Sequence, residues 1–207
     1  MIAPRGTGDV TDREHATSCL AASAREIAAD SGGDDAALFR QVLACFGTGV
    51  TVITSKIAEE VRGMTASAFM SGSLNPPLVV ASIGRHTRMH DFLAAGHFMG
   101  ISILSSEQEV CSRRFAGQLG ADAAPPPLEY LDGIPVISGA LAVLTTHVCA
   151  HYACGDHTLF VGRVRHLAYS DAHQPLLHYR GRYARLHVQP SQGPPARLEP
   201  EEWTVGW

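Results

Sequence analysis

Residues 140–169 read ALAVLTTHVCAHYACGDHTLFVGRVRHLAY, and this stretch decides the architecture. Ala140 to Tyr152 and His157 to Tyr169 are strand-like runs, and Gly155-Asp156 between them suits a tight reversal of the chain. A long antiparallel hairpin is the reading, with Leu176 to Leu186 as a further strand-like run after it. Upstream, His97 to Leu104 reads as another strand. The apolar run Leu78 to Ile83 is opened by Pro76-Pro77, which separate it from the segment Arg62 to Ser71. Val50 to Ser55 is β-branched almost throughout, which favours an extended backbone.

Short helices lie between these strands. Thr87 to Ala95 reads as a helix stopped by Gly96; Ser105 or Ser106 is placed to cap another that runs through Glu107, Val110 and Phe115. Gly117 to Gly139 reads as a Gly/Pro-rich excursion. Behind Asp34-Asp35, Leu38, Phe39, Val42, Leu43 and Phe46 share one helical stripe that ends at Gly47 and Gly49, an amphipathic helix that requires a sheet to cover. Strands at this density predict a mainly β fold, a closed or nearly closed antiparallel barrel with peripheral short helices.

The length of 207 residues suits one domain with tails. The reading divides the chain into an N-terminal extension over residues 1–34, with a short helix around Thr11 to Ala29, a domain over 35–187, and a tail over 188–207 holding Pro190, Pro194, Pro195 and Pro200. A composition of 45% hydrophobic and 17% charged residues is that of a globular protein, and a formal charge of -4 without a Lys/Arg-rich run gives no footprint for nucleic acid or an anionic membrane. No apolar run approaches the roughly 20 residues of a membrane span, and the N-terminus lacks the apolar core of a secretory signal, so a cytoplasmic location is expected. Cys19, Cys45, Cys111, Cys149 and Cys154 are odd in number and contain no C-x-x-C pair, which argues for reduced thiols.

Seven motifs follow one another between Leu38 and Leu186: Phe46-Gly47-Thr48-Gly49-Val50-Thr51-Val52, Gly63-Met64-Thr65-Ala66-Ser67-Ala68-Phe69, Asn75-Pro76-Pro77-Leu78, Arg85 with Thr87, Arg114-Phe115-Ala116-Gly117, Gly155-Asp156-His157-Thr158, and His178-Tyr179-Arg180-Gly181-Arg182-Tyr183. In this order they resemble the flavin reductase family of the FMN-binding split-barrel superfamily, the short-chain NAD(P)H:flavin oxidoreductases that serve two-component monooxygenases. The resemblance implies an FMN-binding split β-barrel, FMN or FAD as flavin, NADH or NADPH as electron donor, a homodimer, and an oxygenase component that receives the reduced flavin.

The chemistry of these residues fits that implication. A flavin offers polar ring edges and a phosphate-bearing tail. Small side chains at Thr65, Ala66, Ser67 and Ala68 let the main chain approach a ring and add two hydroxyls. Arg85 and Thr87 follow a strand and open a helix, where guanidinium, hydroxyl and free N–H groups suit a phosphate; Met89 stands where the family often has a second hydroxyl. Ser102 stands where many relatives have asparagine. Arg114 is a second candidate for the phosphate or ribityl tail, with Arg113 facing solvent, Phe115 in the core and Ala116 beside it. Thr48, Ser82 and Tyr183 join the site because they lie in or beside the motifs. In the family the Gly-Asp-His motif contacts the nicotinamide cofactor, which implies Asp156 and His157 here, with His157 orienting the hydride donor.

Competing readings accompany each of these. Gly155-Asp156-His157 also reads as a hairpin turn in which Asp156 bonds its own backbone, a reading that ranks behind the cofactor role. His147, Cys149 and His151 share one face of a strand, with Cys154 or His157 beyond the turn, as zinc ligands would; their separation of about 6.6 Å per alternate residue argues against convergence on one ion, and no metal is expected. For the chain as a whole the alternatives to flavin reduction are a split-barrel flavoenzyme that retains FMN and acts on a specific small molecule, and a flavin-binding protein without turnover.

Overall fold

The computed structural model describes residues 35–120, 124 and 126–187. The expected helix around Thr11 to Ala29 and the tail over 188–207 lie outside the described residues. The chain divides between Leu43 and Ala44. Of the first unit the structure describes one helix, α1 (Asp35–Leu43), on which Phe39, Val42 and Leu43 are exposed.

The second unit contains twelve strands and two helices among its described residues. In chain order they are β1 (Thr48–Gly49), β2 (Thr51–Ile57), β3 (Glu60–Ala66), β4 (Phe69–Leu74), β5 (Pro77–Gly84), α2 (Arg88–Gly96), β6 (Phe98–Ile103), α3 (Glu109–Phe115), β7 (Leu128–Leu131), β8 (Ile134–Ile137), β9 (Ala142–Cys154), β10 (His157–Tyr169), β11 (Leu176–Tyr179) and β12 (Arg182–Arg185). Seven strands form one antiparallel sheet in the order β3-β2-β6-β9-β10-β5-β4, with β1-β11-β12 and β7-β8 as two smaller sheets.

The edge strands of the large sheet are β3 and β4, and only Ser67 and Ala68 separate them in sequence. Three Cα–Cα steps span at most about 11 Å. The sheet therefore curls until its two edges meet at that corner, the geometry of a split barrel. Inside the curl lie Ile53, Ala81, Ile83, Met99, Ile101 and Phe160, with Met89 and Leu93 of α2 entering the same cluster one helical turn apart. Burying side chains of this size contributes about 1.5–3 kcal/mol each. Successive residues of a strand face opposite ways, so Val50 and Val52 leave this interior and pack with Leu104, Ile137 and Leu176 in a second cluster.

Three local expectations change. The run Leu176 to Leu186 is a hairpin of β11 and β12, reversed at Arg180 (φ 49) and Gly181 (φ 75), a two-residue turn with both central residues left-handed. The excursion Gly117 to Gly139 contains the β7–β8 hairpin, whose turn at Asp132-Gly133 is built the same way and whose Ile134, Val136 and Ile137 are buried. Neither Ser105 nor Ser106 caps α3: its N-cap is Gln108, whose Oε1 instead accepts from Ser105 N at 3.0 Å, while Ser105 bridges to Pro175. By contrast the α2 N-cap is Thr87, whose side chain accepts from His90 N.

Candidate functional site

The seam of the barrel gathers the first group of residues. Thr51 Oγ1 donates to Ala66 O at 2.7 Å, and Ser82 N donates to Ala68 O at 3.0 Å, so both sides of the corner are pinned by their main chain. Ala66 points into the core, while Ser67 and Ala68 are exposed. A cavity of about 310 Å³ opens beside them, lined by Phe46, Thr48, Gly49, Thr51, Ser67 and Phe69 among others. At Gly49 an added Cβ would meet nothing within 4 Å, so this wall has open space in front of its backbone.

Ser82 leads along β5 to the second group. Ala81 and Ile83 fill the core, which turns Ser82 to the other face. After Gly84 the chain turns: Thr87 Oγ1 donates to Gly84 O at 2.8 Å and accepts from His90 N at 3.3 Å. The N–H groups at the start of α2 have no partner within the helix and carry its positive end. Arg85 N donates to Asp156 O at 2.9 Å, and His157 pairs with Gly84 across the sheet, so the Arg85–Thr87 turn and the Gly155–His157 turn form one rim. The Arg85 side chain is exposed and makes no ion pair within the described residues.

On that rim Asp156 Oδ1 lies 2.7 Å from His157 Nδ1. This hydrogen bond, and then the imidazole's charge, hold the Asp156 carboxyl below the usual carboxylate range. With Nδ1 engaged by the carboxylate, Nε2 is the ring atom left to meet a ligand. Gly155 carries the left-handed backbone of the turn (φ 60).

The third group surrounds α3. Gly63 of β3 is glycine because the Phe115 ring lies against it: a Cβ there would come within 2.7 Å of Phe115 Cδ1. Thr65 Oγ1 donates to Ser112 O at 2.6 Å, and Ser112 Oγ lies 2.9 Å from Tyr183 Oη. Thr65 and Tyr183 thus spend their hydroxyls on fixing the helix. Arg113 does not simply face solvent: it pairs with Glu109 and stacks over the Tyr183 ring at 4.8 Å. Arg114 Nη1 donates to Gly120 O at 2.7 Å and lines a different cavity, about 360 Å³, with Glu107, Gln108 and Cys111. Burial pushes the Cys111 thiol up to about 11. Phe115 packs against the second core cluster as expected, and Ala116 is the C-cap of α3.

Ser102 stands behind the site rather than in it. It is fully buried, and its Oγ accepts from Ile137 N at 2.9 Å. His147, Cys149 and His151 do not converge with other ligand-type residues: among the described residues no group of three or more His, Cys, Asp or Glu is placed to hold a metal ion. Two contributors had no signal in the sequence. Ser112 and His90 each bond a residue far away in the chain, which only the folded topology reveals.

The curled antiparallel sheet, with Ser67-Ala68 at its seam and Arg85, the capped helix α2 and His157 on one rim, has the fold of solved flavin reductases, and the class is that of flavin-reducing oxidoreductases. The sequence model of the flavin reductase like domain matches residues 43–187, and the chain belongs to this family. It is 42% identical over 154 residues to an NADH-dependent flavin reductase of Rhodococcus sp, an alignment covering 72% of this chain and 85% of that one. Among solved structures, flavin reductase PheA2 in its native state superposes with a TM-score of 0.72 at 42% identity, covering 76% of this chain and all of PheA2. The NADH:FAD oxidoreductase SgcE6 of Streptomyces globisporus, solved with NAD and FAD fragments, gives 0.70 at 36% identity and covers 74% and 93% of the two chains. No helix among the described residues is long and apolar enough to cross a membrane.

Proposed function

We propose that this chain transfers a hydride from NADH to FMN, with FAD as a second acceptor, and releases the reduced flavin to a separate oxygenase component. The observation that carries the reading is the continuous rim: the Ser67-Ala68 corner is bonded to Ser82, Ser82 leads into the Arg85–Thr87 turn, and that turn is bonded to Asp156 beside His157. The donor set fits a flavin. Backbone and hydroxyl groups at Thr48, Ser67 and Ala68 suit the ring edge beside an open wall, and Arg85, Thr87 and the start of α2 suit the phosphate.

When bound, the flavin supplies the hydride acceptor and the nicotinamide nucleotide the donor. The chain's own residues supply geometry. His157, oriented by Asp156, offers Nε2 to the carboxamide or a phosphate of NADH; Arg85 neutralises charge on the flavin tail; Phe46 and Phe69 give the cavity apolar surface for a ring. Arg114 faces the second cavity and bonds Gly120, so the phosphate falls to Arg85.

The functional unit is a homodimer. Support comes from Met70, Leu74, Tyr152, Leu167 and Tyr169, all more than half exposed on the barrel, which a second copy would cover. The flavin reductase-like domain is taken as residues 44–187, after the division at Leu43, with the flanking segments as extensions. The location is the cytoplasm, where NADH is regenerated and thiols such as Cys149 and Cys154 stay reduced. An oxygenase partner has its support in the relatives: one from Thermus thermophilus, 38% identical over 157 residues, is the reductase component of 4-hydroxyphenylacetate 3-monooxygenase.

The deciding experiment is NADH and NADPH oxidation by the purified protein, without oxygen, with and without excess FMN or FAD. Bleaching of many equivalents of added flavin is expected. Bleaching of a stoichiometric fraction alone would replace the reading with a flavoenzyme that keeps its FMN, and binding without NADH consumption would make the chain a binding protein.

A further inference from the structure

Beneath the rim a second histidine is built into the scaffold. His90 occupies the first turn of α2, its backbone N–H bonded to the Thr87 cap, and its ring is four-fifths buried. Nε2 lies 2.9 Å from Thr158 Oγ1, and Nδ1 lies 3.3 Å from Asp91 Oδ1. The ring stands edge-on to Phe160 with centroids 5.6 Å apart, and Phe160 is a fully buried residue of the barrel interior. Thr158 itself is 5% exposed and directly follows His157. A hydroxyl so deeply buried needs a partner, and His90 supplies it.

We infer that His90 is a positioning residue for the nicotinamide nucleotide: through Thr158 it fixes the start of β10 and so the orientation of His157 on the rim. The inference rests on the reading of His157 as the contact to NADH. The geometry is that of a clamp. One end of β10 is held to β5 by the His157–Gly84 and Thr158–Ile83 pairs, and the His90–Thr158 contact ties Thr158, the neighbour of His157, to the helix that follows the Arg85–Thr87 turn. Losing the contact removes this tie and leaves one buried polar group unpaired, the Thr158 hydroxyl in a His90 variant or His90 Nε2 in a Thr158 variant, and the start of the strand shifts in response, carrying His157 with it. His90 touches neither flavin nor NADH in this scheme. Its effect falls on the affinity for NADH and leaves turnover at saturation nearly untouched.

The test measures anaerobic NADH oxidation with saturating FMN, together with thermal midpoints, for the wild type and for His90→Leu, His90→Gln, His90→Asn, Thr158→Val, His157→Ala and the double variant His90→Leu/Thr158→Val. His90→Leu and Thr158→Val are each expected to raise KM for NADH about three- to tenfold, the worth of one ordinary hydrogen bond. In both, kcat stays within about twofold of wild type, because binding and not the transition state is affected. The double variant should be no worse than the worse single, since both remove one interaction. A glutamine amide reaches as far as imidazole Nε2 and an asparagine amide only as far as Nδ1, so His90→Gln should restore the wild-type KM and His90→Asn should not. Should His90→Leu fail to fold, Thr158→Val and the Gln/Asn pair carry the same test. The inference is overturned if these variants shift only the thermal midpoint, if the two single effects multiply in the double, or if Gln rescues no better than Asn. His157→Ala separates the layers: an unchanged KM there removes the role of His157 and the inference with it, whereas a raised KM there with wild-type behaviour at positions 90 and 158 overturns the positioning alone.

Discussion

Gly63→Ala introduces one methyl group at the junction of β3 and α3, and the structure gives the size of the insult. The new Cβ would sit 2.7 Å from Phe115 Cδ1 and closer still to Cε1, against an ordinary contact of 3.4 Å or more, so the ring must retreat by more than half an ångström. Phe115 packs against Val50, Val52, Leu104, Ile137 and Leu176, which leaves it little room, and the helix that carries it is held one turn earlier by Thr65 Oγ1 donating to Ser112 O. Overpacking of this kind costs about 1–3 kcal/mol, and stretching the Thr65 bond adds up to about 1 kcal/mol. For a domain of this size the sum corresponds to a fall in Tm of roughly 2–16 °C. Thermal unfolding followed by circular dichroism measures it directly. Adding Phe115→Leu, which removes the outer ring atoms, should make the double variant more stable than the sum of the two single losses. A Gly63→Ala protein that melts within 1 °C of wild type, or strict additivity with Phe115→Leu, would refute the claim that the glycine exists to seat the ring.

Thr145→Val should raise Tm by about 2–4 °C, because Thr145 Oγ1 is buried without a partner among the described residues and valine fills the same volume without a polar atom; a fall in Tm would show a partner that the fold hides. Arg85→Ala should weaken FMN binding about tenfold at low salt, with the difference shrinking as salt is added, when flavin fluorescence is titrated; an unchanged affinity removes the phosphate role. Cys111 should label last with iodoacetamide at pH 8: its thiol, pushed from 9.0 to about 11, holds about a hundredfold less thiolate than an unshifted cysteine would, and only above that range should its rate catch up. Peptide mapping that finds Cys111 modified before Cys149 or Cys154 contradicts this.

The long β9–β10 hairpin is legible because two long strand-like runs are separated by one turn pair, Gly155-Asp156, and the observed register closes there with Cys154 opposite His157. The β7–β8 hairpin was not read, although Asp132-Gly133 is a turn pair of the same kind. Its strands are four residues each, too short for a period to register, and the prolines and glycines around them dominate the text. The Arg180-Gly181 reversal escaped for a related reason, since arginine is an unusual residue for a left-handed turn position. In the site, the motifs located the right segments but not the direction of each hydroxyl. Thr65 and Ser102 look alike on paper to Ser67, yet one holds α3 and the other holds β8, because the pairing of distant elements decides which face of a strand meets solvent.

Under the proposed function, the seam accounts for the place of the flavin. A sheet that curls back on itself must bring its two edge strands together through a very short connection, and here that connection is Ser67-Ala68. Edge strands expose unpaired main-chain donors and acceptors, and small side chains at the corner leave those groups approachable. The corner carbonyls are engaged, Ala66 O by Thr51 Oγ1, Ser67 O by Phe69 N and Ala68 O by Ser82 N, so under the proposed function the ring edge meets main-chain N–H groups and the Ser67 hydroxyl there. The neighbouring rim then needs only to hold the rest of the nucleotides. The order of the strands supplies it: β5 lies next to the edge strand β4 and ends at Gly84, just before Arg85, and β10 lies next to β5 and begins at His157. The closing of the barrel and the gathering of the site are therefore one event, and variants that weaken the β3–β4 corner should lose flavin binding along with stability.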